Sequence, residues 1–465
     1  MQLQFYGAAG EVTGSCHILQ VRQQQFLIDC GLIQGGRDAP KRNREPFPFN
    51  PAKIAAVFLT HAHLDHCGRL PLLVKSGFRG TIYTSAACRD LLPILLRDAA
   101  HLSERDAERT NRHREPGEPL AEPLYTLEDV EATLKLVRAL RYDTEYAPFP
   151  GISLVLRDAG HIMGSASLAL SCEEDGESRT IVFSGDLGQY DSPIILDPHR
   201  FEQADLVVME CTYGDRLHRA REATLEEFKA IISTAGREGG NVIVPAFAVG
   251  RSQEILYVLG QHLSEWQLED WMIFLDSPMA IEASAVYWRH TDRHDDAAQH
   301  LRAEFGAMPP LPNLKLCRTA QESMAINHYP SHALIIAGSG MCNGGRVVHH
   351  LRHNLDRPSC RVIIAGFQAP GTLGRALVDG ATEVKIFGET IPVKARIHTV
   401  GGFSAHGDQA DLLRWYQSFH NRPTVALVHG EAEPAKALER KLRTLGADTL
   451  IAQPGLQWPL PARDR

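Results

Sequence analysis

Three histidines and one aspartate fall within six consecutive positions, 61–66, of the segment LTHAHLDHCG. His61 and His63 are two residues apart, so an extended loop can present both side chains together, whereas one face of a helix cannot. Asp65 and His66 follow where the chain turns towards the apolar stretch CGRLPLLV. A purely structural role is disfavoured, because ordered imidazoles lose hydration and repel one another once protonated. Neutral imidazole and carboxylate are zinc ligands, so this loop can supply two histidines to one metal ion and an aspartate with a histidine to a second.

Three further side chains of the same chemical kind lie far along the chain, each behind an apolar run. They are His161 in DAGHIMGS, Asp186 in SGDLG and His429 in LVHGE. A carboxylate such as Asp186 can bridge two cations about 3.5–4 Å apart, which is the spacing of two-metal hydrolases. Such ions lower the pKa of a water between them from 15.7 to about 7, which makes hydroxide available at neutral pH. The sequence therefore predicts a site for metal-assisted hydrolysis.

Strands must position these side chains, because each one follows a short run rich in apolar and β-branched residues. Such runs fit strands covered on both faces, as in layered α/β proteins. The predicted strands are FLID (26–29), IAAVFLT (54–60), GISLVLRDAGH (151–161), TIVFSGD (180–186), DLVVME (205–210) and TVALVHGE (424–431). Helices are predicted between them, among them TLEDVEATLKLVRAL (126–140), which opens with a capping pattern.

A second α/β pattern runs from about residue 214 to residue 377, with the strands NVIVPAF, WMIFLDSP, HALIIAGSGM and CRVIIAGFQ. It carries no cluster of histidines and carboxylates, and the chemistry resumes only at FSAHGD and VHGE. This order predicts a domain inserted into a catalytic one. We therefore expect the catalytic domain to comprise residues 1–213 and 378–465 and the insertion to comprise residues 214–377.

The composition excludes several classes of protein. With 44% hydrophobic and 22% charged residues, the 465-residue chain can form a sizeable core and is not mainly disordered. The net charge of -8 requires any nucleic acid to be bound by a local basic surface or by metal ions. No stretch approaches the roughly 20 apolar residues that span a bilayer, and the start, MQLQFYGAAG, lacks a secretory signal. Because the nine cysteines form no Cys-x-x-Cys pair, we expect a cytoplasmic protein without disulfides or a membrane partner.

The order of these motifs closely resembles the metallo-β-lactamase superfamily. MECTYGDR, FSAHGD and LVHGE resemble the additional motifs of its β-CASP nuclease branch, with Glu210, His406 and His429 at the matching positions. VPAFAVGRSQE, DSPMA, GSGMCNGG and GTLGR resemble the domain that is inserted in this branch. The resemblance implies an α/β fold, a four-layer αβ/βα sandwich with an inserted α/β β-CASP domain.

The resemblance also implies two zinc ions per chain and assigns their ligands. The first ion would be held by His61, His63, His161 and Asp186, and the second by Asp65, His66, Asp186 and His429. Asp29 in LIDCG matches an aspartate that supports the histidine loop without touching the metal, although a turn-capping aspartate would look the same in the sequence. Asp65, Glu210 and His406 are the expected catalytic residues.

Hydrolysis of RNA phosphodiester bonds is the activity that the resemblance implies, with single-stranded RNA as the substrate. His406, paired with Glu210, fits a general acid for the departing sugar oxygen, a role worth roughly 10² to 10⁴ in rate. Glycines in GSGMCNGGR (338–346) could let backbone N–H groups approach a phosphate. The expected substrate-binding residues are therefore Ser339, Gly340, Arg251, Arg346 and Arg375, although glycines after a strand are usually a turn and arginines are often in salt bridges.

Other substrates remain open at this stage. A thioesterase or lactonase with the same metal loop would need neither the inserted domain nor His406. DNA-processing members of the branch tend to carry an apolar residue where His429 stands, which favours RNA. The motifs resemble a bacterial form of the pre-mRNA 3′-processing endonuclease, and they leave endonuclease or 5′-exonuclease action and a homodimer open.

Overall fold

The computed structural model describes residues 1–36, 38–115, 117–306, 309–366, 368–369 and 371–460. Contacts between residues divide the chain into two units. The first unit comprises Met1–Ser192, Leu196–Leu217 and His406–Arg465, and the second comprises Pro193–Ile195 and His218–Ala405. Residues 378 to 405, which the sequence analysis assigns to the catalytic domain, thus lie in the second unit.

The amino-terminal part of the first unit alternates strands with short connections and helices. Its strands are β1 Gln2–Gly7, β2 Cys16–Val21, β3 Gln24–Ile28, β4 Ile54–Phe58, β5 Thr81–Ser85, β6 Val137–Leu140, β7 Glu145–Phe149, β8 Ile152–Asp158, β9 Ala166–Glu174, β10 Glu177–Phe183 and β11 Leu206–Glu210. Its helices are α1 Ala39–Arg42, α2 Leu64–Cys67, α3 Leu70–Lys75, α4 Ala86–Arg112 and α5 Leu127–Leu134.

The second unit is built on an open sheet between helices. Its strands are β12 Val242–Pro245, β13 Met272–Asp276, β14 Leu314–Leu316, β15 Ala333–Ala337, β16 Arg361–Ile364, β17 Glu383–Ile386, β18 Glu389–Pro392 and β19 Arg396–Thr399. Its helices are α6 Arg221–Arg237, α7 Arg251–Gln261, α8 Pro278–Arg289, α9 Asp296–Phe305, α10 Ala320–Ala325, α11 Arg346–Asn354 and α12 Leu373–Val378. The main sheet has the order β14-β13-β15-β12-β16-β19 with all neighbours parallel, and β17 and β18 form a hairpin.

The carboxyl-terminal part of the first unit contributes β20 Thr424–Val428, β21 Thr449–Ile451, β22 Gln457–Pro459, α13 Gln409–Tyr416 and α14 Ala432–Thr444. One sheet of the unit has the order β22-β1-β2-β3-β4-β5-β6, and the other has the order β21-β20-β11-β10-β9-β8-β7. Their inner faces share one apolar core, which includes Phe26 and Phe58 from the first sheet and Leu168 and Val208 from the second.

Helices cover the outer faces of both sheets. Trp415 of α13 and Leu438 of α14 pack in one cluster with Val207 and Met209 of β11. On the other side, α4 lies against β5 and β6. The four layers are the αβ/βα sandwich that the sequence predicts, and the second unit supplies the additional α/β domain.

Parallel pairing brings several strand ends to common edges of the sheets. In the first sheet, β3, β4, β5 and β6 run parallel, and in the second β10, β11 and β20 do so. Asp29 follows β3, Glu210 ends β11 and His429 follows β20. The sequence-predicted strands are therefore present, and the side chains with chemistry lie where these strands stop.

The predicted helix over residues 126–140 is wrong in its second half. Thr126 and Asp129 form the expected capping box, but α5 ends at Leu134 and the chain continues as β6. β6 pairs parallel with β5, from Val137 opposite Ile82, so a long-range contact overrides the local helical pattern.

Among the described residues, no helix combines the length and the apolar character that crossing a membrane requires.

Candidate metal centre

The histidine loop is extended between the end of β4 and the short helix α2. His63 is the last extended residue, with φ -62° and ψ 146°, and Asp65 and His66 lie within α2. The helix is anchored from outside, because Ser15 donates its N–H to the carbonyl of Asp65 at 2.8 Å and Cys30 donates to the carbonyl of His66 at 2.7 Å. One short loop therefore presents ligand atoms in two directions.

Four predicted ligands meet on one side of this loop. Nε2 of His61 and Nε2 of His161 each lie 3.1 Å from Nδ1 of His63. Both Nε2 atoms are 3.5 Å from Oδ2 of Asp186. His61, His161 and Asp186 are buried, so this group of atoms is enclosed by protein.

The other predicted ligands meet on the opposite side of Asp186. Nε2 of His66 lies 3.1 Å from Nε2 of His429 and 3.2 Å from Oδ1 of Asp186. Nε2 of His429 is 3.5 Å from Oδ2 of Asp65 and 3.5 Å from Oδ1 of Asp186. The two oxygens of one carboxylate thus face two different groups of ligands, as a bridging carboxylate does.

The donor atoms fit metal ions better than they fit one another. In a tetrahedral zinc site with Zn–N bonds of about 2.0–2.1 Å, ligand nitrogens lie roughly 3.3 Å apart, close to the separations in both groups. Oδ1 of Asp186 is buried and accepts no well-directed hydrogen bond from the described residues, although Nε2 of His66 lies 3.2 Å from it. Because a buried carboxylate oxygen without a partner is costly, a cation at this position satisfies the arrangement.

Hydrogen bonds behind the ligands determine which nitrogen points inward. Asp29 is buried, and its Oδ2 lies 2.7 Å from Nδ1 of His66, so a neutral His66 carries its proton on Nδ1 and would present the lone pair of Nε2 to a metal ion. Thr60 donates its backbone N–H to Oδ1 of Asp29 at 2.8 Å, and its hydroxyl lies 3.1 Å from Nδ1 of His61. Ser15 donates its hydroxyl to Oδ2 of Asp29 at 3.2 Å. Asp29, which follows β3, is therefore hydrogen-bonded both to Thr60, which follows β4, and to the predicted ligand His66.

Thr212 has the same effect on His429, although the sequence analysis did not identify it. Its hydroxyl donates to the carbonyl of His429 at 3.0 Å and lies 3.0 Å from Nδ1 of the same residue. Because that hydroxyl proton is used, the oxygen accepts from Nδ1 and leaves Nε2 for a metal. Thr60 and Thr212 both lie within two residues of a predicted site residue, and this proximity was the available signal.

Two glycines let the loops of the centre approach closely. A Cβ on Gly31 would lie 1.6 Å from the carbonyl oxygen of Asp65. A Cβ on Gly188 would lie 1.6 Å from the carbonyl oxygen of Gly160 and 2.9 Å from the backbone nitrogen of His161. The glycines of DCG and DLG are therefore required by the backbones that carry ligands.

Electrostatic interactions favour neutral imidazoles in the ligand group that contains His61 and His63, and they favour a positive charge in the group that contains His66. Burial lowers the pKa of His61 well below its ordinary value and lowers the pKa of His63 to about 4, so both rings are neutral at pH 7. Burial also lowers the pKa of His66, but the carboxylates of Asp186 and Asp29 outweigh it and raise this pKa well above its ordinary value. The pocket thus stabilises a positive charge beside His66, which a proton or a metal ion can supply.

His406 lies beside the first group of ligands and contacts a buried acid. Its Nδ1 is 3.1 Å and 3.3 Å from the two carboxylate oxygens of Glu210, and its Nε2 is 3.9 Å from Oδ2 of Asp186. Glu210 is held in turn by the backbone N–H of Leu187 at 2.6 Å. Burial lowers the pKa of His406, but Glu210 and Asp186 outweigh it and raise this pKa to about 9.

Known protein families match the parts of the chain that carry the predicted site residues and the predicted insertion. The family models that match are the beta-lactamase superfamily domain over residues 24–238, the Beta-Casp domain over residues 252–377 and the Zn-dependent metallo-hydrolase RNA specificity domain over residues 390–452. The chain is 40% identical over 458 residues to Ribonuclease TTHA0252 of Thermus thermophilus, with 98% of this chain and 99% of that protein covered. The chain belongs to the β-CASP branch of the metallo-β-lactamase superfamily. As such it is a metal-dependent hydrolase.

Other proteins that match this β-CASP protein are less similar to it in sequence. Transcription termination factor FttA of Methanocaldococcus jannaschii is 30% identical over 445 residues, with 93% of this chain and 67% of that protein covered. A solved structure, described as a protein of unknown function from Enterococcus faecalis V583, has a TM-score of 0.55 at 13% identity and covers 98% of this chain and 99% of that chain. At this identity the likeness concerns the fold alone.

The three arginines expected to bind substrate in this β-CASP protein each contact an acid. Arg346 donates to Oδ1 of Asp276 at 2.7 Å, Arg375 donates to both carboxylate oxygens of Asp379 at 2.9 Å, and Arg251 lies 3.8 Å from Glu254. Arg251 also donates to the carbonyl of Ala365, and Arg346 donates to the carbonyls of Cys317 and Arg318. Their contact with RNA stays a prediction.

The loop after β15 carries the other two expected substrate-binding residues. Ser339 donates its N–H to the carbonyl of Gly344 at 3.3 Å, and the carbonyl of Gly340 accepts from the side chain of Gln368 at 3.0 Å. All five expected substrate-binding residues lie in the second unit, whereas the predicted metal ligands, Asp29, Glu210 and His406 lie in the first. A role of the loop in phosphate binding also stays a prediction.

Proposed function

We propose that the protein is a zinc-dependent ribonuclease that hydrolyses phosphodiester bonds of single-stranded RNA. The observation that carries this proposal is the pair of ligand groups on either side of Asp186, with His406 next to them. A relative named ribonuclease that matches along nearly the whole chain and the match to an RNA specificity domain support RNA as the substrate.

Two zinc ions are the metals that suit these donors. His61, His63, His161 and Asp186 would hold one ion, and Asp65, His66, Asp186 and His429 would hold the other. When bound, the ions supply Lewis acidity to the phosphate and lower the pKa of a water molecule between them. The chain itself fixes the ligand geometry through Asp29, Thr60 and Thr212.

His406 is the proposed general acid. The carboxylate of Glu210 at Nδ1 stabilises the protonated ring and leaves Nε2 as the nitrogen that faces Asp186. A proton held at Nε2 can pass to the departing sugar oxygen, which would otherwise leave as an unstable alkoxide. Glu210 holds the ring in this orientation and stabilises its positive charge.

A cytoplasmic location suits the thiols of the chain. All nine cysteines are free and buried. Disulfides are rare in a reducing compartment, and buried free cysteines behave there as small apolar side chains. We therefore propose that the enzyme meets its RNA substrate in the cytoplasm.

The test combines metal content with cleavage of an end-labelled single-stranded RNA by the wild type and by His406→Ala. The variant is expected to keep about two zinc ions per chain and to lose roughly 10² to 10⁴ in cleavage rate. His420→Ala, which changes an exposed histidine of the first unit, is the matched control and should cleave normally. Product lengths distinguish internal from 5′-terminal cleavage.

Two outcomes would contradict this proposal. Because His406 also lies in a group with Asp186 and His429, loss of zinc from His406→Ala would make it a ligand instead of an acid. Turnover of single-stranded DNA, a thioester or a lactone without turnover of RNA would replace the proposed substrate with one of those.

A further inference from the structure

Phe247 is a large apolar side chain that the fold leaves exposed beside a loop rich in glycine. It follows β12, and 48% of its surface is accessible to solvent. In open parallel sheets, ligands bind outside the carboxyl ends of the strands, and Phe247 lies just beyond such an end. A ring that stays half exposed at this position forgoes part of the roughly 1.5–3 kcal/mol that full burial of a large apolar side chain provides.

The ring of Phe247 rests on Gly340 of the loop after β15. A Cβ on Gly340 would lie 2.9 Å from Cδ2, 3.0 Å from Cε2 and 3.2 Å from Cγ of the ring. Near-equal distances to three successive ring atoms place that point over the ring face, because an in-plane approach would bring one atom much closer than its neighbours. One face of the ring therefore covers the glycine, and the exposed surface belongs to the opposite face and the edge.

The backbone that carries Phe247 is held firmly. Ser252 donates both its N–H, at 3.3 Å, and its hydroxyl, at 2.7 Å, to the carbonyl of Phe247. The buried side chain of Gln253 donates to the carbonyl of Ala248 at 3.0 Å and accepts from the N–H of Gly250 at 2.7 Å. The backbone of Phe247 is therefore fixed and its ring packs on Gly340, so less entropy is lost when a ligand packs on the ring.

The surroundings of Phe247 favour contact with a flat ring of a ligand over contact with the apolar surface of a protein partner. The loop beneath it has the sequence GSGMCNGG, and a Cβ on Gly344 would meet no atom within 4 Å. Proteins that bind single-stranded nucleic acid use aromatic side chains on which bases stack. We propose that Phe247 stacks on one base of the RNA substrate and so positions the strand, an inference that rests on the proposed ribonuclease function.

The test measures RNA binding and cleavage by four variants of the full chain. Phe247→Ala and Phe247→Leu are expected to bind single-stranded RNA roughly 5- to 150-fold more weakly, which corresponds to about 1–3 kcal/mol of stacking per base. Most of the effect should appear in KM and not in kcat. Phe247→Tyr should retain affinity, because it keeps the ring. Phe305→Ala removes a phenylalanine that is 55% exposed elsewhere in the unit and serves as the matched control.

An abasic scan separates stacking from a structural role. RNAs in which one nucleotide at a time lacks its base should reveal one position that depends on stacking. At that position, removal of the base should weaken binding to the wild type but should not weaken binding to Phe247→Ala any further. If every abasic position costs both proteins equally, or if an active Phe247→Ala binds RNA normally, this inference alone is overturned. If the wild type cleaves no RNA, the proposed function fails and the inference with it.

Discussion

Asp29→Asn tests whether the hydrogen bonds behind the ligands hold the metal centre together. In the wild type, Asp29 accepts from Thr60, Ser15 and Nδ1 of His66. The asparagine keeps the shape and one acceptor oxygen, but its NH₂ group would face either the Nδ1–H of His66 or the N–H and hydroxyl of Thr60. The least disruptive solution moves the His66 proton to Nε2, where it blocks the second ligand group.

The size of the effect follows from this geometry. Loss of a partner that orients a metal-binding histidine typically lowers metal affinity 10–100-fold, or about 1.4–2.7 kcal/mol. We place Asp29→Asn at the upper end, because Asp29 is buried and no solvent can replace the lost acceptor. The first group of ligands does not contain His66, so the ion bound there should be retained.

Titration of the metal-free protein with zinc, in competition with a chromophoric chelator, measures both sites. The wild type should bind two ions, whereas Asp29→Asn should bind one at wild-type affinity and the second about 100-fold more weakly. Ser15→Ala, which removes the 3.2 Å hydrogen bond to the same carboxylate without changing the tautomer of His66, should lose less than half of that free energy. Equal affinity of Asp29→Asn and the wild type for both ions would refute the reasoning.

Two further substitutions test the fold around the sites. Gly188→Ala, whose Cβ would lie 1.6 Å from a backbone carbonyl oxygen, should lower the free energy of unfolding by about 1–3 kcal/mol in urea titrations, whereas Gly401→Ala, with no atom within 4 Å, should change it little. Asp276→Asn should lower the free energy of unfolding by about 1.5–3 kcal/mol at pH 7, because it removes the charge-assisted hydrogen bond between the buried carboxylate and the partly exposed guanidinium of Arg346. Burial raises the pKa of Asp276, but hydrogen bonds from groups that include His350 and Arg346 outweigh it and lower this pKa below its ordinary 3.8, so its contribution is present above that pH and is lost as the pH falls further. The difference between the wild type and Asp276→Asn should therefore shrink in unfolding experiments at pH 3.

The candidate ligands that the structure brings together could be predicted from the sequence because their chemistry is local. Four site residues fall within positions 61–66, and His161, Asp186 and His429 follow apolar runs that form strands. Parallel pairing then brings strand ends together, which general rules of sheets predict. Asp29, which orients His66, was predicted from LIDCG, whereas Thr60 and Thr212 were not, because a threonine near a histidine or a glutamate has no distinctive pattern.

Long-range pairing explains the remaining differences. The strand over Val137–Leu140 forms because it pairs with β5, although its residues continue a helical pattern. Residues 396–399 join the second unit because β19 pairs with β16. The partner of Arg346, Asp276, lies 70 positions away, so the sequence could not show that this guanidinium is engaged within the fold.

The position of β20 makes the centre dependent on the last part of the chain. His61, His63, His161 and Asp186 are all translated before the second unit begins at His218, whereas His406 and His429 are translated after it ends. A nascent chain can therefore gather the first group of predicted ligands early, whereas the second group lacks His429, and the proposed proton donor His406 is missing, until the segment around β20 has been made.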